Sequence, residues 1–548
     1  MHLQTLTAMA VVVDPQRDSV AVAKQALPAG THLTADNGSI VNLRQAVAPG
    51  HRFALHAVPA GEWVMQYGQP FALSLGLLPG DPITSETVEN RVPQWDPQSF
   101  QVSPPVLAPW EGPLPTFDGF HRPDGRVGTR NWVLVVGASH CSSHVTSMIA
   151  MQAELSGLYT RAQYPNVDGV TGLAHGGGCG CPDMLPPDAP GRAPGGSVET
   201  LLRLIHHHLR HPNVGAALVI ELGCEKTGLP ALLGYTGQHP ARSVPEDRQN
   251  GLQDWSDFFE KPVYGLSIQD LGGTRATIQK AMQLLPALLQ AANLTRRAPA
   301  PASALGLALQ CGGSDAFSGL TANPALGIAS DLLVRAGGVS VISEIPEFLG
   351  AEHLFARRAI TPEVAREIFA QMERYHAYAA RRGASLTENP SPGNKAGGLI
   401  NITIKSLGAM AKAGKAPVVG TLDYGQPYWE KGRNGLYLMY GPGYDPDCVP
   451  AQVATGCQVV CFTTGRGSVL GNVIAPVIKI ASNSPMYQRM RADMDINAGA
   501  ALDGLTSMDA LGRAIFADIL AVASGRTTQA EENGHREFTY WSEEGVTL

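Results

Sequence analysis

An α/β protein of several domains is the fold class that this 548-residue sequence predicts. Three observations carry that reading. Apolar runs such as Trp132-Val133-Leu134-Val135-Val136, Ala216-Ala217-Leu218-Val219-Ile220 and Leu305-Gly306-Leu307-Ala308-Leu309 break into glycine and polar residues ahead of helix-like segments. That is the pattern of a parallel sheet whose loops gather at one edge. The first 92 residues instead hold short strands punctuated by Pro-Gly turns, and residues 93 to 116 carry seven prolines, too many for a core element.

In chain order, residues 1–92 read as a compact β module. Ala8 to Val13 is its first strand, and Ser19 to Ala23, Gly50 to Leu55 and Trp63 to Tyr67 follow, separated by turns at Pro28–Gly30, Pro59–Gly61 and Pro79–Gly80. Residues 93–116 form an extended linker. An α/β region spans 117–295, with Gly169 to Ala174 as a further strand and a helix from Val198 to Arg210. His206-His207-His208 in that helix reads as surface, because consecutive helical residues point in different directions. The stretch Arg296 to Pro301 is a second break, before a third α/β region over 303–548. There Thr321-Ala322-Asn323-Pro324 offers cap chemistry ahead of a helix.

Composition narrows the function. Hydrophobic residues make up 44% and charged residues 16%, with a net charge of −7 and no basic stripe, which argues against nucleic acid as the partner. An apolar run long enough to span a membrane is absent, and Met1 to Val13 lacks the pattern of a secretory signal. The eight cysteines lack the density of a disulfide scaffold and read as reduced thiols, some of them metal ligands, in a cytoplasmic protein.

Four strand-end clusters each hold a cysteine: His140-Cys141, His175 to Cys181, Gly223-Cys224-Glu225-Lys226, and Cys311 with Ser314 and Asp315. The strand ends of a parallel sheet converge, and thiolate, imidazole and carboxylate together suit Fe(II) or Zn(II). The alternative is that such cysteines are small buried hydrophobes. Two later clusters read as anion and hydroxyl binders: Asn389 to Gly398, which sets Lys395 in a Pro- and Gly-rich loop beside Asn394, and Cys461 to Ser468, which offers Thr464 and the Arg466 guanidinium. Without a GxxxxGK[ST] run, nucleotide use is discounted. Asp493 to Asn497 reads as a metal or cap site, or as solvated surface.

These residues resemble a known family. Gly119 to Asn131 (Gly-Phe-His-Arg-Pro-Asp-Gly-Arg-Val-Gly-Thr-Arg-Asn), Tyr164 to Val170, Gly223-Cys224-Glu225, Cys311-Gly312-Gly313-Ser314-Asp315, Asn389 to Gly398 and Phe462 to Gly467 are similar to motifs of the altronate/galactarate dehydratases. Gly50 to Leu55 with Tyr67-Gly68 resembles that family's SAF (β-clip) module. The resemblance implies a SAF module, a Rossmann-like middle domain and an α/β C-terminal domain. It also implies an iron-dependent hydro-lyase that turns a sugar acid into a 2-keto-3-deoxy acid, with Mn(II) as a substitute and an iron–sulfur cluster as an alternative. One departure stands out: Thr84-Ser85-Glu86-Thr87 occupies the place of the His-x-His-Asn run of altronate-type members, whereas Gly350-Ala351-Glu352 and the tail Glu544 to Leu548 look altronate-like. The choice between altronate and galactarate is therefore split.

Dehydration next to a carboxylate builds negative charge, which calls for a metal or cations and a base poised near neutrality. The expected iron site draws on His175, Cys141, Cys179, Cys224 and Cys311, with Glu225 or Asp315 completing or orienting it. Lys395 is the expected base or enolate stabiliser and Arg466 the carboxylate clamp. His140 and Lys226 are reserve acid/base groups, and Ser314, Asp315, Asn394 and Thr464 are expected to hold substrate. The alternatives are a sibling lyase releasing sulfite from a 2-hydroxy acid such as sulfolactate, and a non-catalytic carbohydrate- or anion-binding protein. A homodimer is expected from size.

Overall fold

A computed structural model describes residues 4–35, 38–97, 100–180, 197–234 and 252–543. Cys181 and the tail Glu544 to Leu548 lie outside the described residues. The N-terminal module is built from two- to six-residue strands. Val20–Ala23 pairs antiparallel with Ala10–Val11 and Arg52–Ala54, and Gln69–Ser74 pairs antiparallel with Trp63–Gln66 and Val88–Glu89. The expected first strand, Ala8 to Val13, is shorter than read, because Leu6–Met9 forms a helical turn ahead of Ala10–Val11. Alternate side chains of these strands point to opposite faces. Thus Ala21, Ala23 and Phe53 fill the module's own small core, while Val20 and Ala54 join the core of the C-terminal region.

Residues 90–115 form neither strand nor helix among the described residues, as their prolines dictate. They lie against the C-terminal region, where Trp95 stacks on His353 at 3.6 Å and Ser103 N donates to Arg357 O. The stretch read as a break at Arg296 to Pro301 is in fact largely the strand Arg297–Pro301, paired along its length with Thr116–His121. Pro299 and Pro301 are tolerated because the strand is an edge of its three-stranded sheet.

Two parallel sheets position the chemistry. The first has the order Gly169–Leu173, Trp132–Gly137, Val214–Glu221, Val263–Ser267, with Leu252–Asp254 added antiparallel at one edge. The second has seven parallel strands in the order Val418–Leu422, Leu436–Met439, Val339–Ile342, Gly306–Cys311, Val459–Thr464, Val477–Ala481, Ile496–Asn497. From Gly306–Cys311 the chain steps to Val339–Ile342 and the two strands beyond it on one side, and from Val459–Thr464 it runs outward on the other. The junction between Gly306–Cys311 and Val459–Thr464 is therefore the topological switch point, and the carboxyl ends of its strands open a crevice. The helix after Thr321, Ala322–Arg335, covers one face. The Thr321 hydroxyl does not cap it, and donates instead to Phe317 O and Ser482 O. Asp495 accepts from Lys479 N in the neighbouring strand and from Gln529 N at the start of a helix that Thr528 caps. Among the described residues no helix is long and apolar enough to cross a membrane.

The helix Ser197–Arg210 lies between the two sheets, and this overturns the surface reading of His206-His207-His208. All three are buried, with His207 edge-on to Trp429 and His208 edge-on to Phe538. Histidine reads as polar in a pattern, yet a helix covered on both sides has no solvent face. His211 completes the seam through its contact with Cys457 O at 3.2 Å. Arg130 clasps the same two units, with both Glu531 oxygens at 2.7 and 2.8 Å and the carbonyl of Val522 at 2.8 Å.

Burial holds the His206 and His208 imidazoles down at about 4, and holds His207 and His211 well below the usual range. These rings are neutral in the fold and protonate in the unfolded chain below about pH 6.5. Stability is therefore full above that pH and falls as pH drops towards 4, by about 1.4 kcal/mol per pH unit for each such ring. Urea midpoints measured from pH 7 to pH 5 should fall steadily, and a flat profile would contradict the seam's burial.

Candidate active site

The crevice is built around one carboxylate. Cys311 pairs with Thr463 at the end of the central strand, and Gly312 and Gly313 then turn the chain inward. A Cβ at Gly312 would sit 2.1 Å from the Asp445 carboxylate, and Gly313 has φ +57, so both positions require glycine. Gly313 O accepts from Gly465 N and Arg466 N, tying this loop to the one after Val459–Thr464. Asp315 then enters the interior. Its Oδ1 accepts from Ser318 N, Ser318 Oγ and Ser482 Oγ at 2.8–2.9 Å, and its Oδ2 accepts from Asn483 Nδ2 at 3.0 Å. Burial still pushes its carboxyl up, against these hydrogen bonds.

The segment carrying Lys395, read as a loop, holds the short helix Pro392–Ala396, capped by Ser391, and it folds over this point. Asn394 Nδ2 donates to Ser314 O at 2.8 Å, and Ala316 N donates to Gly397 O at 2.9 Å. The N-terminal module clamps the segment from outside, since the buried Arg52 guanidinium donates to Gly398 O and to Gln66. Tyr67, Ser314, Asp315, Ser318, Asn323 and Lys405 line a small cavity of about 10 Å³, room for about one water. The expected substrate holders Ser314, Asp315, Asn394 and Thr464 are thus brought together and buried, with Arg466 exposed on a flanking loop and Lys395 exposed on the helix Pro392–Ala396.

Behind the cavity lies a buried charged network. Lys412 Nζ is 2.9 Å from Cys311 Sγ and bonds Glu344, while Cys311 Sγ lies 3.5 Å from Glu347. Lys405 Nζ lies 2.6 Å from Glu347. Burial pushes the Cys311 thiol and the Glu344 carboxyl up; Lys412 stays charged against burial because Cys311 and Glu344 hold it so. Asp445 is pushed up to about 6, chiefly by burial. Glu344 adopts φ +73, a conformation a bulky side chain keeps only when its surroundings demand it.

The first sheet's carboxyl edge holds a separate cluster. Cys141, Cys179 and Cys224 are exposed free thiols. The neighbouring Cys141 pushes the Cys179 thiol up, with further contributions from burial, Cys224 and Glu225. The Glu225 carboxylate accepts from the backbone N–H groups of Leu222, Gly223 and Cys224 at 2.7–3.0 Å and so shapes the loop that presents Cys224. His140 Nδ1 lies 3.1 Å from His175 O, and Lys226 is exposed beside Glu225.

Two expectations need correction. Cys311 does not join the other thiols, because its strand belongs to the second sheet and its neighbours are Lys412, Glu344 and Glu347. His175 is a buried structural ring. Its Nε2 donates to Gly137 O at 2.7 Å and its Nδ1 accepts from Gly177 N at 3.2 Å, so neither nitrogen is open to a metal. Burial holds it at about 4.

Comparison with known proteins bears on what such a crevice serves. Three family descriptions match along the chain: the altronate/galactarate dehydratase SAF domain over residues 9–76, the D-galactarate dehydratase/altronate hydrolase second domain over 119–293, and the D-galactarate/altronate dehydratase C-terminal domain over 302–546. The galactarate dehydratase (L-threo-forming) of Escherichia coli (strain K12) is 36% identical over 531 residues, covering 95% of this chain and 94% of that protein. The chain belongs to the D-galactarate/altronate dehydratase family. An altronate dehydratase of Bacillus subtilis (strain 168) is 31% identical over 97% of this chain and 98% of its own. The (2R)-sulfolactate sulfo-lyase subunit beta of Chromohalobacter salexigens is 32% identical over 77% of this chain and 96% of its own.

In this family member, residue-by-residue reading missed Lys405, Lys412, Glu344, Glu347 and Asp445. Lys405 and Lys412 sit in ordinary helical stretches, and Glu344 and Glu347 follow a strand without a recognisable motif, so only the Glu after an apolar run was a signal. Gly465 offers a direct test of the crevice. Its Cβ would fall 2.1 Å from the Asp315 carboxylate, so Gly465→Ala should cost about 1–3 kcal/mol of stability by overpacking. An unchanged urea midpoint would mean that Asp315 does not anchor these loops.

Proposed function

We propose that this chain is a hydro-lyase that dehydrates a galactarate- or altronate-type sugar acid to its 2-keto-3-deoxy acid. What carries the reading is the Asp315-centred crevice at the switch point, in a chain 36% identical to a galactarate dehydratase over 95% of its length. A base removes the proton from the carbon next to the carboxylate. The electron pair forms a carbon–carbon double bond, the neighbouring hydroxyl leaves as water once protonated, and the enol tautomerises to the ketone. Ser314 and Asn394 suit the substrate's hydroxyls, Arg466 its carboxylate, and Lys395 the base or enolate-stabilising role. The cavity is too small for a six-carbon acid as it stands, so in this reading the Asn389 to Gly398 segment draws back from Asp315 to admit one.

Iron is a proposal of the same standing. Cys141, Cys179 and Cys224 are exposed thiols near the Glu225 carboxylate, and Cys141, Cys224 and Glu225 all push the Cys179 thiol up, the condition a bound cation relieves. These side chains fit Fe(II) or a cluster, which would supply Lewis acidity for the departing hydroxyl. Among the described residues it is Cys311, Glu344 and Glu347 whose ligand atoms lie within 4.8 Å of one another, but Lys412 already provides positive charge there, so this reading keeps iron at the exposed thiols. We further take the middle domain to be Rossmann-like, on its 2-1-3 parallel strand order, and the chain to act in the cytoplasm as a homodimer.

A panel of sugar acids with Fe(II), under anaerobic conditions, should yield a 2-keto-3-deoxy product from galactarate or altronate. Sulfite from sulfolactate with no keto-acid from either would favour the second reading, which the sulfo-lyase relative supports. Lys395→Met in folded, iron-loaded protein should abolish turnover; near-normal rates would remove Lys395 from the chemistry. Replacing Cys141, Cys179 and Cys224 together by Ser should release the iron measured by elemental analysis, and an unchanged iron content would place the metal elsewhere.

A further inference from the structure

Lys405 lies in the helix Ile402–Met410, whose first turn is fixed by Asn401. Asn401 Oδ1 accepts from Ile404 N, and its amide reaches back to Phe71 O in the N-terminal module at 2.9 Å. Two partners are found for the buried Lys405 ammonium, Glu347 Oε1 at 2.6 Å and Asn389 Oδ1 at 3.1 Å. An ammonium has three N–H donors. The third has no partner among the described residues, and neither have the hydroxyls of Tyr67 and Ser314. All three residues line the same cavity. A cation and two hydroxyls left open around one small space make a receptor for a small oxyanion.

The network behind Lys405 explains how it is held. Glu347 is shared between Lys405 and the Cys311 thiol, and the thiol accepts from Lys412, which also bonds Glu344. Lys405 and Lys412 thus face Glu347, Glu344 and the Cys311 thiol in a region almost without solvent. A cysteine suits this place because a small group must donate to Glu347 and accept from Lys412 at once. Glu347 keeps Lys405 charged against burial, so Lys405 serves as a cation and not as a base.

We propose that Lys405 is a second, buried cation that receives the substrate carboxylate alongside Arg466, and the charge that builds on it during proton removal, with Cys311, Lys412, Glu344 and Glu347 as its positioning network. This rests on the dehydration reading above. It differs from the expected metal role of Cys311: a hydroxyl replaces the thiol in the network, but not as a soft metal ligand.

Lys405→Met should lower kcat/KM on the accepted sugar acid by about a hundredfold or more, and Lys405→Arg should recover part of the loss. Because Lys405→Met leaves Glu347 unpaired, the double variant Lys405→Met/Glu347→Gln serves as the folded control and should be equally impaired. Cys311→Ser should stay within about threefold of the parent while Cys311→Ala falls about tenfold or more, since only the hydroxyl preserves a charge-linked donor and acceptor. Equal losses in the Ser and Ala variants would overturn the positioning role, and a double variant with near-parent kcat/KM would overturn Lys405. If the parent protein turns over no sugar acid, the dehydration reading fails. Lys405 is then judged by thermal shift with galactarate, which should stabilise the parent and not the double variant; stabilisation of both, or of neither, overturns the assignment.

Discussion

The buried Asp315 carboxylate is the constraint on which the crevice depends. A charge taken out of water must be met by donors on every side, or it costs several kcal/mol, about 1–3 for each group left unmade. Here the donors come from Ser318, Ser482 and Asn483. Meeting them ties Asp315's own loop to the one after Val477–Ala481, and the absence of a side chain on Gly465 in the loop between them leaves the space in which the carboxylate sits. The Asn389 to Gly398 segment closes the fourth side, held by Asn394 from within and by Arg52 of the N-terminal module from without.

Two groups of acidic side chains are handled in opposite ways. Around Cys311 the carboxylates are buried and matched by Lys405 and Lys412, so charge balance comes from the chain itself. Around Cys141, Cys179 and Cys224 the thiols are exposed, and Cys179 is pushed up chiefly by Cys141. The first arrangement suits a fixed electrostatic environment for an anion, and the second suits an exchangeable cation. The segment carrying Phe538 and Tyr540 packs near His175 and links the second region's tail to the loop that presents Cys179.

Much of the architecture was legible from local chemistry. Val/Leu-rich runs ending in glycine marked the strands at Trp132, Val214, Gly306 and Val459, because a buried parallel strand needs apolar side chains on both faces. The proline density of 93–116 excluded regular structure there. The Cys311 to Gly319 run announced a crevice, and its glycines are now explained by the Asp445 carboxylate and by a left-handed backbone. The proline-bearing strand Arg297–Pro301 was not legible, since nothing local reveals that an edge position spares its missing N–H groups.

Sequence alone determined which side chains stand at strand ends, because alternation, glycine placement and cap residues act over a few positions. The tertiary structure decided which of those ends meet. Four similar cysteine clusters separate into three exposed thiols on one sheet and one buried thiol on another, according to strand order that no local pattern encodes. It also decided that three consecutive histidines are covered on both sides of their helix. Finally, it joined Lys405 and Lys412 to Glu347 and Glu344, at separations of 58 and 68 residues. Pairing of buried charges is a long-range condition, satisfied only when the whole chain has folded.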